Sequence, residues 1–200
     1  MRLVACLVIA ICCATATCPA YAETGQKIVQ DLVMLFSAWS DEDSDKDIYE
    51  EAAKYIDYAG MSERALGKDN WKSLSAGQKQ EFVTAFRKLV EQRYYKRWHK
   101  IFFNGRLTYV GQTAAGEDTL VKTALLVGKE EDMVIWRLHP HGGDLAVISL
   151  AVDEEDLLSK LHDRFQKHLQ KRGFADLLAW IKDKLDDDSQ SNGPTPKADS

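Results

Sequence analysis

At Asn104-Gly105 the hydrophobic period of this 200-residue chain switches from that of helices to that of strands, and no other feature constrains the fold as much. Upstream, Ile28, Leu32, Val33, Leu35, Phe36 and Trp39 recur at helical spacing, so a helix is expected over Glu23–Ser40. Thr24 is its candidate N-cap, although Lys27 is the wrong residue to complete a capping box. The acidic run Asp41–Asp47 reads as a solvated loop. Ile48–Ile56 and Asp57–Leu66 read as two further helices, the second stopped by Gly67. Ser75 and Gln78 have the S-x-x-Q form of a capping box and open a long helix over Ala76–Lys100. Phe82, Phe86, Leu89, Val90, Tyr94 and Trp98 make its apolar face, widened by Val83 and Tyr95. Lys79, Arg87, Lys88, Glu91, Gln92, Lys96 and Arg97 take the wet side.

Downstream, period-two segments predict strands at Arg106–Gln112, Thr119–Gly128, Asp132–Leu138 and Asp144–Ala151. Their short connections imply an antiparallel meander. Asp153 is expected to cap a helix to about Lys171, Gly173 to stop it, and Phe174–Leu185 to form the last helix. The predicted fold class is α+β, a curved four-stranded antiparallel sheet with helices on one face around an apolar cavity.

The first 22 residues read as a secretory signal peptide. Arg2 is the basic start, Leu3–Ala14 the short apolar run, and Ala20-Tyr21-Ala22 the cleavage signal. That run is too short to span a bilayer, which takes about 20 residues. All four cysteines (Cys6, Cys12, Cys13 and Cys18) lie inside the leader, so a chain cut after Ala22 has neither thiol nor disulfide. The expected organisation is a leader over 1–22, one domain over 23–185 and a disordered polar tail over 186–200. Removing Arg2 leaves 25 basic against 31 acidic side chains, a balance that argues against a nucleic-acid partner.

Motifs for catalysis are poor. His139-x-His141 sits in a Pro-Gly-Gly turn without a suitable third ligand, and His162 and His168 do not share a helix face, so no metal is expected. Gly60-Met61-Ser62-Glu63-Arg64 starts like a nucleophile elbow but lacks the final glycine and falls in a predicted helix. No phosphate-binding loop or dinucleotide-binding pattern is present, and no cofactor is expected. Asp57, Asp144 and Asp153 lie at element ends, where a cap or turn role is the simpler reading. What remains is a large amount of aromatic and aliphatic surface, which by itself describes an ordinary core.

The order of motifs goes further. Ala65-Leu66-Gly67, Trp71, the Leu74-Ser75-Ala76-Gly77-Gln78 cap and Glu81-Phe82-x-x-x-Phe86 resemble the MlaC family of periplasmic, toluene-tolerance-type auxiliary proteins. The likeness continues through Val90, Tyr94 or Tyr95, Trp136-Arg137 and the Gly143 turn. It ends with Phe165-x-x-x-Leu169 and Gly173-Phe174-x-x-Leu177-Leu178, so that it spans about Lys27 to Leu185. The chain departs from the pattern at Ala76, Leu145 and Ser149. The resemblance implies a nuclear-transport-factor-2-like cone with added helices. It implies a non-enzymatic periplasmic carrier that holds phospholipid acyl chains in the cavity. Its partners would be an outer-membrane lipoprotein complex and an inner-membrane ABC transporter with a lipid-binding subunit. The wall residues implied are Leu66, Trp71, Phe82, Phe86, Val90, Tyr109, Val121, Leu125, Trp136, Leu138, Val147, Leu157 and Phe165. A hopanoid-related lipid is a variant of this reading. Two rivals stand beside it: an enzyme on a similar cone, which would rely on Asp144, Asp153 or His139, and a ligand-free adaptor.

Overall fold

A computed structural model describes residues 19–40, 42–152 and 155–191. Most of the proposed leader lies outside the described residues. Helix α1 (Pro19–Ala38) starts ahead of the expected Glu23, so Thr24 lies within the helix and is not its cap. Its stripe of Ile28, Val29, Leu32 and Phe36 is buried. Helix α2 (Asp45–Ala52) takes up part of the acidic run expected as a loop; Asp45 and Asp47 lie in its first turn, where carboxylates oppose the positive helix end. Asp57 caps α3 (Tyr58–Leu66) by accepting from the Gly60 amide at 2.9 Å. A side chain at Gly60 would collide with that carboxylate, because an added Cβ lies 2.3 Å from Asp57 Oδ2. A short helix that the sequence did not signal, α4 (Lys68–Ser73), follows and carries Trp71.

The capping box is present at α5 (Ala76–Val90): Gln78 N donates to Ser75 Oγ at 3.3 Å and Ser75 N to Gln78 Oε1 at 2.9 Å. The single helix expected to Lys100 is corrected. It breaks into a π-helical turn (Glu91–Tyr95) and then α6 (Lys96–Asn104). Glu91, assigned to the wet side, is buried. Arg87 Nε donates to its carboxylate at 2.5 Å, and the Tyr95 hydroxyl meets that of Tyr58 on α3. The extra residue of the π turn brings both groups inward. Asn104-Gly105 is a helix-to-strand corner with no intervening loop. A Cβ on Gly105 would lie 2.5 Å from Leu125 Cδ1 and 2.9 Å from the Ile101 carbonyl.

The sheet runs in sequence order and is antiparallel throughout: β1 (Gly105–Ala115), β2 (Asp118–Val127), β3 (Glu130–His141), β4 (Asp144–Val152) and β5 (Glu155–Asp156). It has five strands where four were expected. The fifth is a two-residue acidic segment with no strand propensity of its own, held by Ala151↔Asp156 and Val152↔Glu155. Asp153, the expected cap of the next helix, lies outside the described residues. Asp156 serves the start of that helix, accepting from the Ser159 amide at 2.7 Å and from Ser149 Oγ at 2.9 Å. Helix α7 (Leu157–Ser191) is broken at Gly173 (φ 80°), as the sequence suggested, and continues past the expected end at Leu185.

Register places Val121, Trp136 and Leu150 side by side, with Thr123 and Val134 on one flank and Leu138 and Val147 on the other. This inner face carries the buried apolar residues of β2 and β3, while Lys122, Ala124 and Ile135 on the outer face are half-buried. Strand β4 differs. It is buried continuously from Leu145 to Ala151, so both of its faces are covered. Its edge is covered as well: Asp57 N donates to Val147 O at 3.0 Å and Val147 N to Tyr55 O at 2.8 Å, and β5 takes the far end. No unpaired edge is left along most of β4.

Candidate functional site

The buried residues form one continuous apolar cluster between the helices and the inner sheet face. Its helical side centres on Phe82, Phe86 and Phe165. Their ring centroids are 5.9 Å (Phe82–Phe86), 5.9 Å (Phe82–Phe165) and 6.2 Å (Phe86–Phe165) apart. Helical spacing within α5 sets the first pair, and α7 brings the third ring across. On the sheet side Trp136 stacks on Phe102 of α6 at 5.6 Å. Phe36 of α1 packs edge-on against Tyr95 and Trp98 at 4.9 and 5.7 Å.

Leu66, Phe82, Phe86, Val90, Val121, Leu125, Trp136, Leu138, Val147, Leu157 and Phe165 all belong to this cluster. Trp71 and Tyr109 are half-buried against it. Trp71 sits at the rim, with Lys79 Nζ 5.3 Å from its ring centre, and Tyr109 borders the bulge of β1. Met61, Tyr58, Tyr95, Phe36 and Phe102 share the same interior and were not among the wall residues that the resemblance implied. The helical spacing of Phe36 and Tyr95 marked them as buried, but nothing local marked them as neighbours.

Few polar groups enter this interior. Trp136 Nε1 donates to Thr123 Oγ1 at 3.0 Å, which in turn donates to Val134 O at 3.3 Å. Burial pushes the Glu91 carboxyl up, against the opposing pull of Arg87. Burial also raises the Tyr58 and Tyr95 hydroxyls, so both stay protonated at physiological pH. The Ser62 hydroxyl is buried without a hydrogen-bond partner among the described residues.

The side chains weighed for catalysis have these partners, Asp153 lying outside the described residues. Asp57 caps α3, Asp144 Oδ1 accepts from the Leu145 amide at 2.8 Å, and His139 Nδ1 lies 2.8 Å from Asp118. His141 Nδ1 is 3.4 Å from Asp57, and His168 Nε2 is 2.5 Å from Asp176. Among the described residues no three His, Cys, Asp or Glu side chains are arranged to hold a metal ion. No described helix is long and apolar enough to cross a membrane. Asp118 is a heavily bonded carboxylate. Burial raises it, but bonds from Arg64, His139 and Arg137 outweigh burial and hold it at about 2. What the assembly offers chemically is apolar contact area behind a polar shell.

Comparison with known proteins gives the same direction. No curated protein matches the chain. Among solved structures, a phospholipid-binding protein from Ralstonia solanacearum, determined in complex with a phospholipid, superposes with a TM-score of 0.72 at 16% identity. The match covers 84% of this chain and 98% of that one, and at this identity it establishes a shared fold. The sequence model of the MlaC protein family matches residues 35–183. That span takes in α2 to α6, the whole sheet and most of α7, and with it the chain belongs to the MlaC family.

Proposed function

We propose that this protein is a periplasmic carrier that holds the acyl chains of a phospholipid in its apolar interior and passes the lipid between membranes. The observation that carries the reading is the fold shared with a protein determined in complex with a phospholipid, together with membership of the MlaC family. The physical requirement is severe. Two acyl chains expose about 30 methylenes, and at about 0.8 kcal/mol each their transfer through water costs more than about 20 kcal/mol. A carrier must replace that burial without chemistry. In this reading Phe82, Phe86 and Phe165 form one wall and Val121, Trp136 and Leu138 the other, with Leu66, Val90, Leu125, Val147 and Leu157 between them and Trp71 and Tyr109 at the rim. The chain reaches the periplasm through a leader cut after Ala22. It exchanges lipid with an outer-membrane lipoprotein complex and an inner-membrane ABC transporter bearing a lipid-binding subunit.

Mass spectrometry tests this directly. The full chain is expressed with its leader in a Gram-negative host, purified from the periplasm without detergent and extracted with organic solvent. The expected result is about one phospholipid per protein and an N-terminus at Glu23. Protein that emerges free of lipid, and stays so after incubation with phospholipid vesicles, would sink the proposal.

A further inference from the structure

Six polar or charged side chains are buried among the described residues, and five of them have protein partners. Asp57 caps α3, Glu91 accepts from Arg87, and Asp118 accepts from Arg64 and Arg137. Thr123 accepts from the Trp136 indole, and Ser149 donates to Asp156. Ser62 is the exception: it is 0% exposed, and its hydroxyl has no hydrogen-bond partner among the described residues. A serine or threonine inside a helix commonly returns its hydroxyl to the carbonyl one turn back. Ser37 does so to Val33 O at 2.7 Å, and Thr84 to Gln80 O at 2.9 Å. Ser62 makes no such bond, so its own helix leaves it unsatisfied. A dry, unpaired hydroxyl costs free energy that an alanine in the same place would not.

That hydroxyl belongs to the apolar interior. Residues four apart share a helix face, so Ser62 lies between Tyr58 and Leu66 on α3. Both neighbours are members of the apolar cluster, as are Met61 and Ala65. Helix α3 packs against α5, α7 and β4, which bring Phe86, Phe165 and Val147 to the same cluster. The chemistry open to Ser62 is narrow. A serine nucleophile needs a base to take its proton, and this hydroxyl is bonded to none. It can hold a ligand but is not activated to attack one. The other buried polar atom without a partner, Gln112 Oε1, belongs to a half-buried side chain on β1 and is less constrained.

We propose that Ser62 is a ligand-binding residue whose hydroxyl donates to the carbonyl oxygen of an acyl ester held in the apolar interior. This rests on the lipid-carrier reading and names a polar contact within that site. The methylenes of an acyl chain offer no acceptor. The ester carbonyl is the polar group joined directly to them, and it accepts without donating. A hydroxyl already dry gives up no bond to water or protein when it meets that oxygen, so the bond favours the loaded state more than an exposed hydroxyl could.

The test is a cycle in which the hydroxyl is removed from the protein and the carbonyl from the lipid. Lipid-stripped full chain and S62A are titrated with vesicles of a diester phosphatidylcholine or of its diether analogue, which lacks the carbonyls. Wild type is expected to prefer the diester over the diether by about fivefold more than S62A does. Before lipid is added, S62A should melt at the wild-type temperature or above it, since no protein bond is lost. Infrared spectra of diester lipid labelled with carbon-13 at the carbonyl give a readout on wild type alone: a component shifted to lower frequency should appear with wild type and be missing with S62A. Equal diester preference in both proteins, with no shifted carbonyl, overturns the assignment while the carrier reading stands. A clearly lower melting temperature of lipid-free S62A would mean that the hydroxyl is already satisfied within the protein, and would overturn it as well. Failure of wild type to bind either lipid overturns the carrier reading and this inference together.

Discussion

The Asp118 carboxylate sits at about 2, below its ordinary 3.8, because three basic side chains bond its charged form. A carboxyl depressed by folding adds stability above its unfolded value and loses it as pH falls through the folded one. The window here runs from about pH 4 down to about pH 2, and the contribution at neutral pH is about 2 kcal/mol. Urea denaturation of wild type and D118N at several pH values checks this. The two should differ by a constant amount above about pH 5 and converge between about pH 4 and pH 2. A gap that does not change with pH would mean that the bonds do not favour the ionised form. Thr123 makes a second prediction. It is the acceptor for buried Trp136 Nε1. T123V keeps the shape and orphans that donor, so it should lower stability by about 1–3 kcal/mol, whereas T123S should lose less. Thermal melts of the two variants separate loss of the hydroxyl from loss of packing.

At the scale of elements, the corner between α6 and β1 is the least forgiving joint. G105A must move Leu125 or the Ile101 carbonyl, and should destabilise by about 1–3 kcal/mol. G77A meets nothing within 4 Å in the first turn of α5 and should be neutral or stabilising by up to about 1 kcal/mol. Chemical denaturation should therefore shift in opposite directions for one and the same substitution. The two glycines also show what a sequence can disclose. Ser75-x-x-Gln78 announced the start of α5 because a capping box is made within four consecutive residues. The strands of the meander were legible because alternation is local. The π turn was not, because its reason lies on other elements: Glu91 faces inward with Arg87, and Tyr95 finds Tyr58, 37 positions away. Strand β5 was invisible for the same reason, being defined only by its pairing with β4. The Asp118 cluster joins Arg64, Arg137 and His139 across separations of 54, 19 and 21 positions, and no spacing rule connects them. The burial of the apolar residues was readable residue by residue. Which ring faces which followed only from how α7 crosses α5.

At the scale of the whole molecule, the carrier reading makes its ligand part of the protein's stability. A ligand that binds only the folded state raises the melting temperature, by an amount that grows with the logarithm of its free concentration over its Kd. Protein stripped of lipid by solvent or by reverse-phase refolding should melt several degrees lower and bind a hydrophobic dye. Adding phospholipid vesicles should reverse both changes, as followed by differential scanning fluorimetry. A stripped form that melts at the same temperature and excludes the dye would place the apolar cluster with ordinary cores.

Strand β4 gathers its contacts from both directions along the chain. Tyr55 and Asp57 bond its edge, a Cβ on Gly25 of α1 would touch Leu145, and Ser149 is tied to Asp156 and to the Leu158 amide. Such pairings have high contact order, so the helices that precede the sheet cannot reach their final packing until β4 and α7 have been made and delivered. A polypeptide threaded through a narrow export channel has to remain unfolded in transit. In the proposed export to the periplasm, this topology favours that delay.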